Sequence, residues 1–298
     1  MTIDAESRPG EDARGLGWRV VPLVFAECRP IVLAMFALRF VAGAAMGGPG
    51  WGRLSAADAG LLVVGVVSWV AATGFVYLLN GVSDIPGDRL NGSTRPLASG
   101  RLPVRAAIGW CIAFAVAAVV LSAVVGLGLL VCALAMLGFG WLYSAGRHAA
   151  KQRVWSASLV IFGGGIATYL GGAFATGNVP APGTIAVAVL MAAWMAVAGN
   201  TKDLADVAGD RVAGRRTLPV TLGIRPAAWA TALGCCAVGV AGLFVPSAPA
   251  RIVAACLLAA ALAMIGIAAY GRSLGTKRMY AVFMVSQVVS NLVIVVLM

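Results

Sequence analysis

Charge is scarce in this sequence. Asp, Glu, Lys and Arg make up 11% of the residues and hydrophobic residues 61%, whereas a soluble domain is about 25% charged, so a water-soluble globular class is excluded. Histidine occurs once, at His148. The six cysteines (Cys28, Cys111, Cys132, Cys235, Cys236, Cys256) fall mostly inside apolar runs, without metal-ligand spacing. A His- or Cys-built zinc centre and a disulfide framework are both excluded, and the thiols read as small core residues. No cleavable signal is expected, because Asp4, Glu6, Glu11 and Asp12 stand where a signal peptide needs a basic start and a short apolar run. The net charge of +11 raises the question of nucleic acid. The basic residues, however, lie in short segments between apolar spans and form no stripe, so no nucleic-acid partner is expected.

What the chain has in abundance is apolar length. Residues 1–18 are polar and charged and read as a disordered cytoplasmic tail. Stretches near membrane-spanning length follow at 19–47, 56–82, 104–124, 126–145, 154–176, 183–203, 227–246, 251–271 and 278–298, against the roughly 20 residues a spanning helix needs. Residues 19–298 are therefore expected to form a single all-α domain. It is a polytopic membrane protein, a bundle of about nine transmembrane helices around a central apolar cavity. Pro30 interrupts the first stretch, placing part of it at the interface before the span proper. With the N-terminus and the connections after spans two, four, six and eight inside, every one of the 22 basic residues except Arg39, Arg53 and Arg251 lies inside, as the positive-inside rule requires. The expected location is the cell (cytoplasmic) membrane, with the N-terminus cytoplasmic.

Two polar bursts interrupt this pattern, both on the face assigned as cytoplasmic. The first, after span two, is NGVSDIPGDRLNGSTRPLASGR, residues 80–101. Asn80, Asp84 and Asp88 recur every fourth residue, which on a helix stacks oxygen ligands along one face about 6 Å apart. Pro86 is expected to end the helix or kink it before Asp88. The second burst, after span six, is NTKDLADVAGDRVAGRR, residues 200–216, with Asp206 and Asp210 four apart and Asp203 a turn earlier. Asp203 either ligates metal with them or pairs with Lys202 or Arg211. Of the eleven acidic residues, Asp84, Asp88, Asp203, Asp206 and Asp210 lie in these bursts and most of the rest in the tail. Oxygen ligands without Cys or His suit a hard ion, magnesium, which usually completes its shell with substrate phosphates. The shared order of apolar helix, Asn, acids, then Arg and Gly hints at an internal duplication.

Cations accompany the acids. Arg95 begins RPLASG, Lys202 lies inside the second burst, and Tyr143, Arg147 and Lys151 are spaced by four, as on a helix extending span four. Arg39 is buried in span one, where a charge costs several kcal/mol unless it faces a polar cavity or a partner. Acids for magnesium, ringed by basic groups at the mouth of an apolar bundle, suit a diphosphate on a long hydrocarbon. The chemistry is ionisation: cations stabilise the departing diphosphate, and a dry cavity protects the allylic carbocation.

On these residues the chain resembles the UbiA superfamily of intramembrane prenyltransferases, whose signatures are NxxxDxxxD after the second helix and DxxxD after the sixth. Asn80, Asp84 and Asp88 match the first, Asp206 and Asp210 the second. The resemblance implies magnesium-dependent transfer of a prenyl group from a polyprenyl diphosphate to an aromatic or similar lipophilic acceptor. It departs at Gly81, where many members have Asp, and at Arg147, where the family's YxxxK motif has Lys. The expected catalytic residues are Asp84, Asp88, Asp206 and Asp210. Metal ligands are Asn80, Asp84, Asp88, Asp203, Asp206 and Asp210, and diphosphate ligands are Arg39, Arg95, Tyr143, Arg147, Lys151 and Lys202. Phe75, Phe162, Tyr169 and Trp194 are expected to line the prenyl and acceptor pocket. Two other functions are weighed: a cyclase of the same fold that needs no acceptor, and a transporter, disfavoured because transport sites lie near the bilayer midplane.

Overall fold

The computed structural model describes residues 20–48, 50–146, 148–271 and 274–297, and all statements of structure refer to these. The expected tail, residues 1–18, lies outside them, as does Arg147. The described residues are helical, and their one β-type pairing is an isolated bridge between Arg153 and Arg216. The helices are α1 (Val20–Glu27), α2 (Pro30–Gly47), α3 (Ala56–Leu90), α4 (Val104–Val125), α5 (Leu127–Ser144), α6 (Val154–Phe174), α7 (Pro182–Ala198), α8 (Val207–Val212), α9 (Leu218–Leu222), α10 (Ile224–Leu243), α11 (Ala248–Tyr270) and α12 (Arg278–Leu297). Nine of the helical segments are long and apolar enough to span a membrane, the sixth being α7 with the 3-10 turn Gly199–Ala205 that prolongs it.

Local chemistry sets the ends that matter for the site. The first apolar stretch breaks in two at Arg29, whose φ of 58° is left-handed, and Pro30 then opens α2. Proline suits a first helical position, where its missing N–H would have no partner. α3 starts at a capping box, in which Ser55 Oγ accepts from the Asp58 N–H and Asp58 Oδ2 accepts from the Ser55 N–H. Contrary to the expectation from Pro86, α3 runs unbroken to Leu90. Pro86 is exposed in the last turns of the helix, where losing one main-chain hydrogen bond is least costly.

Outward faces carry exposed Val63, Val67, Ile112, Val116, Val120 and Leu134, as lipid contact requires. Inside, α2, α3, α5, α6, α7 and α12 surround a cavity of about 190 Å³. A single water needs roughly 10–15 Å³ on this measure, so the space is of ligand size rather than a packing fault. Its walls are mostly apolar, among them Val32, Phe36, Met136, Phe139, Ile161 and Phe283.

Candidate active site

The cavity opens at the end of the bundle where the two bursts lie. Asn80, Tyr143, Gly199 and Lys202 line its mouth, and a smaller polar chamber shares Tyr143, Gly199 and Lys202 with it and adds Lys151, Asp203, Asp210, Arg215 and Thr217. Two connections close over this chamber. The Arg216 N–H donates to the Gln152 carbonyl (2.8 Å) and the Val154 N–H to the Arg216 carbonyl (3.2 Å), tying the link after α5 to the end of the second burst. Gly209 lets that burst settle against the Asn91 side chain at the end of the first.

In the first burst, Asn80 and Asp84 share one face of α3, and Asn80 Nδ2 donates to Asp84 Oδ2 at 2.9 Å. The other oxygen of Asp84 takes Lys151 Nζ (2.8 Å) and an Arg215 guanidinium nitrogen. Asp88 Oδ2 pairs with Arg95 Nη1 at 2.7 Å. In the second burst, Asp210 is buried and pairs through Oδ1 with Arg215 Nη1 at 3.3 Å, while its Oδ2 is buried without a partner. Asp203 lies 3.8 Å from Lys202 Nζ, which also donates to the Tyr143 hydroxyl at 3.0 Å. Asp206 is exposed. Arg215 thus spans the bursts, holding Asp84 of one and Asp210 of the other.

Burial moves two of these groups. It pushes Lys151 below the usual lysine range despite the adjacent Asp84 carboxylate. It raises Asp210 above the usual carboxylate range, with Arg215 opposing.

Several expectations need correction. Lys151 sits not on a helical extension of α5 but on the separate 3-10 turn Ala150–Gln152, because the chain leaves helical geometry at Ala145. It reaches Asp84, not the apolar cavity. Arg39 lines the cavity, ten residues or about 15 Å at the helical rise from Arg29, and none of the acids at the mouth pairs with it. Its Nε donates to Gln287 Oε1 at 2.9 Å, its guanidinium carbon lies 4.8 Å from the Phe36 ring centre, and no carboxylate among the described residues pairs with it.

Phe75, Phe162, Tyr169 and Trp194 do not line the cavity. Phe75 packs against the cluster around Leu78, Leu97 and Cys111. Tyr169 is fully buried with its hydroxyl donating to Asn291 Oδ1 at 2.9 Å, and Trp194 is fully buried with Nε1 donating to Ser286 Oγ at 3.0 Å. Phe162 is half-buried on another face of α6 from Ile161, Gly164 and Gly165, which do line the cavity. In place of these aromatics stand Phe36, Tyr77, Phe139, Tyr280 and Phe283.

Three site residues escaped the sequence reading. In the sequence Arg215 reads only as a basic residue following the second burst or as a topology-setting charge, and Arg29 only as the latter, although Arg29 lines the cavity. Glu27, fully buried, lies 2.5 Å from Arg95 Nη2 and accepts the Leu97 N–H at 3.0 Å. A lone acid in an otherwise apolar stretch was the available signal.

In sequence and in fold the chain is similar to known proteins. A sequence profile of the UbiA prenyltransferase family matches residues 33–287. Digeranylgeranylglyceryl phosphate synthase of Halobacterium salinarum strain R1 is 36% identical over 201 residues, 65% of this chain and 67% of that protein. The protein of the same name from Haloquadratum walsbyi is 31% identical over 185 residues, 61% of this chain and 62% of that one. Among solved structures, a UbiA homolog from Archaeoglobus fulgidus bound to DMAPP and Mg2+ matches with a TM-score of 0.72 at 18% identity, covering 92% of this chain and 99% of the other. The same homolog bound to GPP and Mg2+ gives 0.69 at 20% identity, covering 91% and 98%. Family profile and fold match over most of the chain, which is an integral membrane enzyme belonging to the UbiA prenyltransferase family.

Proposed function

We propose that the protein transfers a prenyl group from a polyprenyl diphosphate to a separate aromatic or similarly lipophilic acceptor. The observation that carries this reading, against cyclisation of the prenyl chain, is Arg39 in the cavity wall, a cation with no carboxylate partner among the described residues. A cyclase must move positive charge along the hydrocarbon as its double bonds attack. About 6 Å from Arg39, at an effective dielectric of about 20, a carbocation would be destabilised by roughly 3 kcal/mol. At the mouth, by contrast, the cations stand beside carboxylates, Asp84, Asp88, Asp203 and Asp210, so positive charge there does not face a lone guanidinium. Charge is therefore held at the mouth, where a second molecule can meet it.

Magnesium suits these residues. The donors are all oxygens, as a hard ion prefers, and Oδ2 of Asp210 is a buried acceptor in the same chamber as the Thr217 hydroxyl. Among the described residues no three acidic, His or Cys side chains are grouped closely enough to hold a metal alone, which fits an ion that takes one or two carboxylates and completes its shell with phosphate. Asp84, Asp88, Asp206 and Asp210 would hold it, with Asn80 and Asp203 beside them. When bound it would supply charge to the departing diphosphate. Lys151, Arg215, Arg95 and Lys202 pair with the carboxylates and offer N–H groups to phosphate oxygens, with Tyr143 orienting Lys202. Apolar walls lower down exclude water from the prenyl chain.

The test is product analysis with purified protein, magnesium and allylic diphosphates of several lengths. The acceptors would be 4-hydroxybenzoate and geranylgeranylglyceryl phosphate, the latter because relatives are named for a digeranylgeranylglyceryl phosphate product. Diphosphate release that depends on an acceptor, with the prenyl chain found on it, is expected. Cyclic hydrocarbon formed at an acceptor-independent rate would overturn the reading.

A further inference from the structure

Glu27 is the last residue of α1 and is fully buried, although neither acidic burst contains it. α1 is seated by Val20 and Val24, with Cys28 just beyond its end, in a cluster with Leu78, Leu97, Leu102 and Cys111, so the position of Glu27 is fixed by apolar packing. A bare carboxylate there would be costly. It is compensated by the Leu97 N–H, which donates to Oε2 at 3.0 Å, and by Arg95 Nη2, 2.5 Å from Oε1. Arg95 is thereby held between two acids, since its Nη1 donates to Asp88 Oδ2 at 2.7 Å.

Opposite Glu27 stands Gly81, immediately after Asn80. A Cβ built there would lie 2.5 Å from Glu27 Oε1 and 3.1 Å from Arg95 Nη2. Gly81 is in the body of a regular helix and has no positive φ, so its backbone does not call for glycine. What calls for it is the carboxylate reaching in from α1. The space that a residue-81 side chain would fill is the space that Glu27 fills, beside the same guanidinium.

We propose that Glu27 is a positioning residue of the diphosphate site, reaching from α1 into the space beside Gly81 and fixing Asp88 through Arg95. This rests on the diphosphate site proposed above. Glu27 keeps Arg95 from collapsing onto the substrate or swinging free, and Arg95 in turn gives Asp88 one orientation. α1 is thus part of the machinery of the mouth.

The experiment measures the Kd of farnesyl thiolodiphosphate, a non-hydrolysable analogue, against magnesium concentration, with the full-length protein in nanodiscs. Glu27→Gln retains an acceptor for the Leu97 N–H but loses the charge. It is expected to weaken analogue binding about 10–100-fold, the usual effect of losing a group that orients a ligand, and to raise the magnesium needed for half-saturation. Gly81→Asp alone is expected to be equally impaired, by overfilling the same space. The double variant Gly81→Asp/Glu27→Ala should recover binding to within a few-fold of wild type, because it moves the carboxylate to α3 and vacates α1. A role confined to anchoring α1 predicts no such rescue. Unchanged Kd and magnesium dependence in Glu27→Gln, or a double variant no better than either single one, refutes the inference while leaving the diphosphate site intact. Failure of the wild type itself to bind the analogue with magnesium refutes the site and this inference together.

Discussion

Arg215 is the side chain whose removal should reveal how far the two acidic bursts act as one site. Its guanidinium donates to Asp84 and, at 3.3 Å, to Asp210, and it is about one quarter exposed (24%). Hydrogen bonds to charged groups contribute about 1.5–3 kcal/mol each. The longer of these two counts for less, and partial exposure lowers both, so replacement by Gln should cost about 3 kcal/mol in alignment of the site. At 1.36 kcal/mol per tenfold change that is a loss of roughly 100-fold in kcat/KM for the prenyl diphosphate. Arg215→Lys keeps the charge but not the fork, and should lose about 10-fold. The assay is initial-rate release of diphosphate at saturating acceptor, with thermal unfolding in detergent as the control for folding. Arg215→Gln within twofold of wild type would show that the bursts are coupled by something else, and the bridge would be incidental.

Other outcomes follow from the same geometry. Asp84→Ala and Asp206→Ala should each abolish turnover in a protein that remains folded in the membrane, and a chelator should do the same; normal rates in either variant would remove those residues from the site. Because burial pushes Lys151 below the usual lysine range, its cationic form is present at lower pH and is lost as pH rises through that depressed value. Activity should therefore fall on the alkaline side earlier than an ordinary lysine would allow, and Lys151→Arg should push that limb upward, which a pH–rate profile would read. Tyr169→Phe leaves Asn291 Oδ1 without its buried donor, and should cost about 1–3 kcal/mol of stability. Its KM for prenyl diphosphate should not change, since Tyr169 lies outside the cavity.

Periodic features of the sequence survived folding, and pairwise ones were invisible in it. Spacing by four was enough to place Asn80 and Asp84 together on α3, and apolar length located the spans. Phe75, Phe162, Tyr169 and Trp194 were misassigned for a physical reason: a membrane helix that is apolar all round carries little signal of which face turns inward. Tyr169 is one turn beyond Gly165, where the cavity ends and packing closes. Pro86 misled because its cost depends on where in the helix it falls. Glu27, Arg95 and Arg215 find partners far away in the chain, and a single sequence holds no record of such pairs.

Where α2 crosses α6, the seam is made of main chain. Side chains added at Gly43 and Gly172 would overlap the carbonyls of Tyr169 and Phe40, and one at Gly47 would lie 2.7 Å from the Cα of Ala173. A seam of side chains loosens as rotamers hop; a seam of backbones has no such freedom. These two helices therefore meet backbone to backbone at these positions. The opposite edge of α2, against α12, is stitched by side chains, with Arg39 donating to Gln287 and Trp51, just beyond α2, donating to the Val295 carbonyl. α2 is therefore held by main chain along one edge and by long-range side-chain hydrogen bonds along the other.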